Sequence, residues 1–196
     1  MPDSTIDYYD THSDSFAADT VDADLSGTQS RFVRMLPAGG DVLDFGCGAG
    51  RDTKAFLGMG FRVDAADGSR EMCRIAHEYT GIAVKQMYFQ ELDEAERYDG
   101  IWACASILHL SSAELPDVLR RMARALKGHG IIYASFKYGS FEGERRGRYF
   151  TDMTEESFSG MIKDIRELQT EEMWVTSDVR PGRGDEKWLN LILRKI

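Results

Sequence analysis

The chain has 196 residues, of which 42% are hydrophobic and 29% are charged, and its formal net charge is −9. Because domains usually contain about 100–200 residues, this length predicts a single domain spanning residues 1–196. The composition excludes disordered and collagen-like proteins, and no apolar run approaches the roughly 20 residues that cross a bilayer. The first residues show no basic segment followed by an apolar stretch, so we expect a cytoplasmic protein.

The cysteines and the distribution of charge argue against further kinds of site and partner. The three cysteines, Cys47, Cys73 and Cys104, form no Cys-x-x-Cys pair, so neither a disulfide framework nor a zinc site is predicted. Residues 1–30 contain seven aspartates and no Lys, Arg or Glu, and therefore carry most of the net charge. We expect neither stable nucleic-acid binding nor membrane binding from an acidic chain without a long basic run.

Apolar strands and helical segments alternate along residues 41–136. Strands are predicted at residues 41–45, 61–66, 83–89, 100–105 and 131–136. Ser69 is positioned to cap one intervening helix, and Ser111 with Glu114 has capping-box spacing ahead of a helix that Gly128 would end. This alternation predicts a doubly wound α/β sandwich of three layers, with a mostly parallel sheet covered on both faces.

The alternation stops after Phe136. Residues 137–153 are polar, locally basic and dotted with glycines, and we interpret them as an insertion that covers the acceptor side of the site. Thr154 is positioned to cap a further helix. Residues 172–177 and 187–193 have the pattern of two strands in an antiparallel hairpin, which would add an antiparallel strand to the sheet.

The most informative segment is VLDFGCGAGRD at residues 42–52, which follows a strand and opens a helix. Its glycines, Gly46, Gly48 and Gly50, let the backbone approach a ligand at the carboxyl end of the strand. Asp67 ends the next predicted strand, at the separation expected of a carboxylate that accepts hydrogen bonds from a ribose diol. The combination predicts a nucleoside-binding site.

Two nucleoside ligands compete for this site. A dinucleotide site has a G-x-G-x-x-G loop, whose last glycine is replaced here by Arg51. Asp44 also puts a carboxylate beside the loop, which is unfavourable next to a pyrophosphate and favourable near a cation. A positively charged nucleoside is therefore favoured over NAD, and S-adenosylmethionine, with its ammonium and sulfonium groups, fits.

With these residues in view, the sequence resembles the class I S-adenosylmethionine-dependent methyltransferases from about Tyr8 to the C-terminus. The resemblance rests on VLDFGCGAGRDT, VDAADGS, YDGIWACASILHL and LKGHGIIYASF. It implies a Rossmann-like sheet of seven strands with the last antiparallel, and S-adenosylmethionine as cofactor with S-adenosylhomocysteine as product. More loosely, the chain is similar to bacterial small-molecule and tellurite-resistance-type methyltransferases.

The resemblance also implies which residues bind the cofactor. They are Asp44, Gly46, Cys47, Gly48, Gly50, Asp67, Gly68, Ser69, Phe89, Gln90, Cys104, Ala105 and Ser106. The backbone of Gly46 and Gly48 would contact the methionine portion, and Asp44 would support its ammonium through the loop. Residues 67–69 would bind the ribose and adenine, residues 89–90 would contact the adenine edge, and residues 104–106 would face the sulfonium. Many members have an acid near position 88, where this chain has Tyr88.

On the acceptor side the residues leave alternatives open. Cys104 is either a nucleophile or a small buried side chain, and His109 is either a general base or a structural residue. The basic residues 145–148 either are solvated or bind the acceptor. We predict that Arg148 and Tyr149 lie nearest the transferred methyl group and favour an anionic acceptor. Residues 1–35 would form a cap over the cofactor.

The expected activity is methyl transfer by in-line displacement to a small-molecule or metalloid acceptor. Such a displacement needs alignment and exclusion of water, so the lack of an obvious catalytic dyad is no objection. The sequence ACAS after the fourth predicted strand is not the N/D-P-P-Y/F motif of enzymes that methylate DNA amino groups. The alternatives are a methyltransferase acting on protein or RNA, a non-catalytic partner subunit, and an NAD-dependent oxidoreductase.

Overall fold

The computed structural model describes residues 3–196. The helices are α1 Asp3–Thr11, α2 Ser13–Thr20, α3 Ser26–Val33, α4 Arg51–Gly58, α5 Arg70–Thr80, α6 Leu115–Ala125 and α7 Glu155–Ile162. The strands are β1 Asp41–Phe45, β2 Arg62–Asp67, β3 Val84–Gln86, β4 Tyr98–Ala103, β5 Leu126–Lys137, β6 Glu142–Arg145, β7 Arg148–Thr151, β8 Leu168–Ser177 and β9 Lys187–Lys195. Short 3-10 turns follow β3 and β4.

Seven strands form one sheet in the order β3-β2-β1-β4-β5-β9-β8. Strands β1 to β5 are parallel to one another, whereas β9 is antiparallel to both β5 and β8. The predicted mostly parallel, seven-stranded sheet with an antiparallel last strand is confirmed. Between β1 and β4 the strand order reverses, which is where ligands bind in open α/β sheets.

The two faces of the sheet carry separate apolar clusters because successive side chains of a strand point to opposite faces. Val42, Trp102 and Tyr133 pack on one face with Phe32 of α3 and Phe56 of α4. The opposite face holds a larger cluster that includes side chains of α6 and α7. Both faces are therefore covered by helices, as the nearly continuous apolar strands predict.

Several predicted boundaries are wrong. The fourth strand, predicted over residues 100–105, is Tyr98–Ala103, and the fifth, predicted over residues 131–136, is Leu126–Lys137. The third strand was predicted over residues 83–89, but only Val84–Gln86 pairs with β2, because β3 is the edge of the sheet and the chain then turns inward to bury Met87 and Phe89. Helix α6 ends at Ala125 rather than at Gly128, and β5 begins at the next residue. The predicted caps at Ser69 and Thr154 are confirmed, since both hydroxyls accept a hydrogen bond from a first-turn amide.

The segment 137–153 contains an antiparallel hairpin, β6–β7, which the sequence interpretation missed. Arg145 pairs with Arg148, so the turn consists of Arg146 and Gly147, with φ angles of 53° and 77°. Positive φ at both positions is the geometry of a tight hairpin turn, for which Asn-Gly and Asp-Gly are the usual sequences. Because this turn has the sequence Arg-Gly instead, the sequence did not indicate a hairpin here.

Helices α1 to α3 precede the sheet and lie within the predicted cap of residues 1–35, of which residues 1 and 2 are outside the described residues. Helix α1 contacts α5 and β7, and α2 contacts α5. Helix α1 therefore bridges the β2 side of the molecule and the β6–β7 hairpin. No helix within residues 3–196 combines the length and hydropathy that crossing a membrane requires.

Candidate active site

The glycine loop between β1 and α4 forms one wall of the site. Gly46, Gly48 and Gly50 have φ angles of 84°, 53° and 85°, which side-chain-bearing residues rarely adopt. A Cβ at position 46 would also collide with the Cβ of Ser106. The amides of Gly46 and Cys47 donate to the carbonyl oxygen of Ala66 at 2.8 and 3.0 Å, which fixes the loop against the end of β2.

Asp67 at the end of β2 is hydrogen-bonded to this loop. Its Oδ2 accepts from the Gly48 amide and its Oδ1 from the Ser69 amide, both at 2.9 Å. Burial raises the pKa of Asp67, while the two amide bonds act in the opposite direction. Each oxygen keeps a lone pair, so the carboxylate has capacity for two further donors.

Asp44 lies beneath the glycine loop and is 2% exposed. Its Oδ2 accepts from the Thr53 hydroxyl at 2.6 Å. Burial, followed by the proximity of Asp52, raises the pKa of Asp44 to about 8. The Asp44 carboxyl therefore lies behind the loop and is largely protonated at neutral pH.

Arg51 and Asp52 open helix α4 and form a buried ion pair on the same wall. Asp52 accepts from Arg51 Nη2 at 2.7 Å, from Trp102 Nε1 at 2.9 Å and from Gln29 Nε2 at 2.7 Å. Arg51 Nη1 also donates to the carbonyl oxygen of Thr20 at 3.3 Å. The residue that replaces the dinucleotide glycine thus brings to the site a guanidinium whose charge is paired with Asp52.

The end of β4 forms the floor of the site. Ala105 has a φ angle of 50°, and its amide donates to Ser135 Oγ at 2.8 Å. Ser106 Oγ donates to the carbonyl oxygen of Phe45 at 2.7 Å. Burial raises the pKa of Cys104 to about 12, so its thiol stays protonated at neutral pH, which supports the small buried side chain over the nucleophile.

His109, in the 3-10 turn after β4, meets α1 and β7. His109 Nε2 lies 2.8 Å from Tyr9 Oη, and His109 Nδ1 lies 2.6 Å from the carbonyl oxygen of Tyr149. Arg148 Nη1 donates to Tyr9 Oη at 3.3 Å. Burial lowers the pKa of His109 to about 4, so its imidazole is neutral at physiological pH.

Charged residues of β5 and of the β8–β9 loop close the far side of the site. Arg180 makes a bidentate ion pair with Asp178, through Nε at 2.9 Å and Nη2 at 2.5 Å. Lys137 is ion-paired with Glu186 and lies over the Trp188 ring at 4.0 Å. Lys137 belongs to the predicted insertion at residues 137–153. Sequence reasoning missed the charged residues of the β8–β9 loop, because only the antiparallel pairing of β8 and β9 brings them to the site.

These elements enclose one cavity of about 800 Å³. The predicted site residues that line this cavity are Gly46, Cys47, Gly48, Asp67, Gly68, Phe89, Cys104, Ala105, Ser106, His109 and Arg148. Tyr9 of the predicted cap and Lys137 of the predicted insertion also line it. Arg51, Asp178 and Arg180, which the sequence analysis did not place in the site, line it as well. The cavity runs from the glycine loop and the end of β2 to the β6–β7 hairpin and the β8–β9 loop.

Five predicted site residues do not line the cavity. Asp44 and Gly50 lie behind the loop, and Ser69 is buried as the cap of α5. Gln90 Nε2 donates to Glu114 Oε1 at 2.9 Å instead of facing the cavity. The Tyr149 side chain was predicted nearest the methyl group, but its hydroxyl donates to Glu142 Oε1 at 2.9 Å because alternate residues of β7 face opposite sides.

Three comparisons with known proteins bear on this site. Residues 42–130 match the family model described as "Methyltransferase domain". The N-terminal Xaa-Pro-Lys N-methyltransferase 1 of Danio rerio is 35% identical over 123 residues, covering 56% of this chain and 55% of the relative. The chain thus spans about half the length of the curated relatives it matches.

Solved structures show the same fold over almost the whole chain. The 1,6-didemethyltoxoflavin-N1-methyltransferase of Burkholderia thailandensis, solved with 1,6-didemethyltoxoflavin and S-adenosylhomocysteine, superposes with a TM-score of 0.76, at 22% identity over 97% of this chain and 84% of that one. The [4+2]-cyclase SpnF superposes with a TM-score of 0.74, at 14% identity over 96% of this chain and 94% of that one. The glycine loop and the strand-end acid thus lie within the part of the chain that matches the methyltransferase family model, and the solved structures show that almost the whole chain shares the fold of these proteins.

Proposed function

We propose that this protein transfers the methyl group of S-adenosylmethionine to a small-molecule acceptor, with both molecules held in the cavity between the glycine loop and the β6–β7 hairpin. The observation that carries the proposal is the continuity of this cavity. Its volume, about 800 Å³, lies at the upper end of the usual range for ligand pockets, about 300–1,000 Å³. When bound, the cofactor supplies an electrophilic methyl group on its sulfonium.

The residues at the loop end fit this cofactor. Gly68 lies where the protein leaves no room for a side chain, since a Cβ there would meet Ile6 Cδ1 at 2.7 Å. The two unused lone pairs of the Asp67 carboxylate match the two hydroxyl donors of a ribose. Asp44 would favour the ammonium from behind the loop, and Arg51 would attract the carboxylate of the methionine portion.

The remaining cofactor contacts are proposed from position along the cavity. Gly68 and Phe89 would lie beside the adenine, and Cys104 to Ser106 would face the sulfonium. Both groups line the cavity at the ends of β2 to β4. The chain's own contribution to the reaction would be alignment of acceptor and methyl group and exclusion of water, for which α1 and the hairpin provide the cover.

A second candidate acceptor is the N-terminal amine of a protein. The observation that favours it is the 35% identity to N-terminal Xaa-Pro-Lys N-methyltransferase 1. That similarity covers about half of each chain. We favour a small acceptor because Arg148 has no carboxylate partner among the described side chains, those of residues 4–196, which suits an anionic molecule better than a peptide beginning with a cationic amine.

Calorimetry with purified protein tests the cofactor. We expect S-adenosylmethionine and S-adenosylhomocysteine to bind, and NAD and NADP to bind more weakly or not at all. Tighter binding of either dinucleotide would overturn the proposal. Transfer of a labelled methyl group from S-adenosylmethionine into a pool of small organic acids and into a peptide beginning Ala-Pro-Lys then separates the two acceptor classes. A cofactor that binds without any transfer would favour a non-catalytic subunit.

A further inference from the structure

Tyr9, His109 and Arg148 meet in the cavity from three different elements, α1, the turn after β4, and β7. The Tyr9 ring packs edge-to-face on Phe16 with centroids 5.0 Å apart. Phe16 in turn lies 3.9 Å from the position of a Cβ on Gly48. Tyr9 therefore stands between the loop half of the cavity and the hairpin half, where the two bound molecules would meet.

The hydrogen bonds of His109 determine where the proton of Tyr9 points. The Tyr149 carbonyl oxygen can only accept, so His109 Nδ1 carries the ring proton of the neutral imidazole. His109 Nε2 is then a bare acceptor, and the Tyr9 hydroxyl must donate to it. Burial raises the pKa of Tyr9 and lowers that of His109, so both groups keep these protonation states at neutral pH.

Arg148, in contrast to Tyr9, can only donate hydrogen bonds. Its Nη1 donates to Tyr9 Oη, and its guanidinium lies 4.5 Å from the Tyr8 ring centroid and 5.2 Å from that of Phe150. Its Nε is buried and has no hydrogen-bond partner among the described residues. By contrast, Arg145 at the paired position of the hairpin is neutralised by Asp152 at 2.9 Å.

The cavity therefore presents a group that can only accept beside a group that can only donate. Tyr9 Oη has one lone pair left and no free proton, while Arg148 has a buried N–H and no carboxylate partner among the side chains of residues 4–196, which are the ones described. We infer, on the basis of the proposed function, that this pair selects an acceptor whose nucleophilic N–H or O–H group lies beside a carboxylate or another anionic oxygen. A nucleophile without a hydrogen would leave the Tyr9 lone pair unpaired and would be rejected.

Four simple aromatic probes test this selectivity on the complex with S-adenosylhomocysteine. Anthranilate has an amine beside its carboxylate, 4-aminobenzoate has the same groups far apart, benzoate lacks the amine, and aniline lacks the carboxylate. We expect calorimetry to show that anthranilate binds about tenfold more tightly than each of the other three, the difference of roughly one satisfied hydrogen bond. Equal affinities, or no binding of anthranilate, would overturn the inference.

Variants assign the effect to the two residues. Tyr9→Phe should abolish the preference for anthranilate over benzoate while keeping the affinity for benzoate. Arg148→Gln should weaken all three carboxylates at least tenfold. Arg145→Gln serves as the matched control and should leave the anthranilate preference unchanged, because its charge is already paired. Persistence of the preference in Tyr9→Phe would contradict the assignment to Tyr9.

The same titrations separate this inference from the proposed function. The affinity for S-adenosylhomocysteine is measured for the wild type and for each variant before the probes are added. If the wild type fails to bind S-adenosylhomocysteine, the proposed function is wrong. If it binds S-adenosylhomocysteine and shows no preference among the probes, only the inference about the acceptor is wrong.

Discussion

At the residue scale, the carboxylate of Asp67 both fixes the glycine loop through a hydrogen bond and faces the cavity. Replacement by Ala would remove the bonds to both the Gly48 and the Ser69 amides, whereas Asn keeps one oxygen that accepts from one of them, so Asp67→Asn is the less disruptive test of binding. We predict that Asp67→Asn weakens S-adenosylhomocysteine binding by about 1–3 kcal/mol through loss of charge-assisted bonds to the ribose, measured by calorimetry.

The matched control for this prediction lies on the same strand. Asp64 of β2 is exposed and accepts hydrogen bonds from Arg97 and Tyr98 away from the cavity. Asp64→Asn should leave the dissociation constant unchanged. Equal effects of the two substitutions, or a normal affinity in Asp67→Asn, would show that another group binds the ribose.

We predict that Asp44 makes cofactor binding depend on pH. Its raised pKa, about 8, means that the free protein carries the proton at pH 6–7. An ammonium bound in front of the loop favours the ionised form, so binding lowers this pKa and releases a proton. The affinity for S-adenosylhomocysteine should therefore rise between pH 6 and pH 8, by at most about tenfold per unit, and level off above the pKa of the free carboxyl.

The number of protons released on binding of S-adenosylhomocysteine measures the contribution of Asp44. Calorimetry at pH 6.5 in two buffers with different ionisation enthalpies should show release of protons on binding. In Asp44→Asn the release should disappear, and the affinity should be lower and nearly independent of pH. Proton uptake, or an unchanged release in the variant, would contradict the role given to Asp44.

At the scale of elements, helix α1 connects the two halves of the site. On one side Asp10 accepts from the Ser69 hydroxyl at 2.5 Å and from the Glu71 amide at 3.2 Å. On the other side the Tyr149 amide donates to Thr5 Oγ1 at 2.9 Å. The start of α5 beside the cavity and the hairpin are thus held by the same helix, which lies within the cap predicted for residues 1–35.

Loosening α1 should weaken cofactor retention. We predict that Asp10→Ala increases hydrogen exchange in α1 and in β7 and speeds dissociation of S-adenosylhomocysteine several-fold, because the helix loses both bonds to the start of α5. Asp7→Ala, on the exposed side of the same helix, is the control and should change neither quantity. Identical exchange in the two variants would mean that α1 does not act as a cover.

At the scale of the whole molecule, the elements predicted well are those with local signals. The strand–loop–helix around Gly46 and the caps at Ser69 and Thr154 follow from backbone constraints within a few residues. The acceptor side was predicted less well, because its geometry depends on long-range pairing. Arg148 reaches the cavity and Tyr149 does not, and only the register of β7 against β6 decides between them.

The whole fold should respond to the cofactor by mass action. A ligand that binds the native state at about 100 times its dissociation constant stabilises it by about 2.7 kcal/mol. For a domain of this size that corresponds to a rise in melting temperature of about 5–10 °C. Differential scanning fluorimetry with S-adenosylhomocysteine should show this rise, whereas NAD at the same concentration should leave the transition in place. With its binding weakened by about 1–3 kcal/mol, Asp67→Asn should lose between about a third and about nine tenths of this shift at the same ligand concentration. A full shift in that variant would mean that the cofactor stabilises the molecule from a different site.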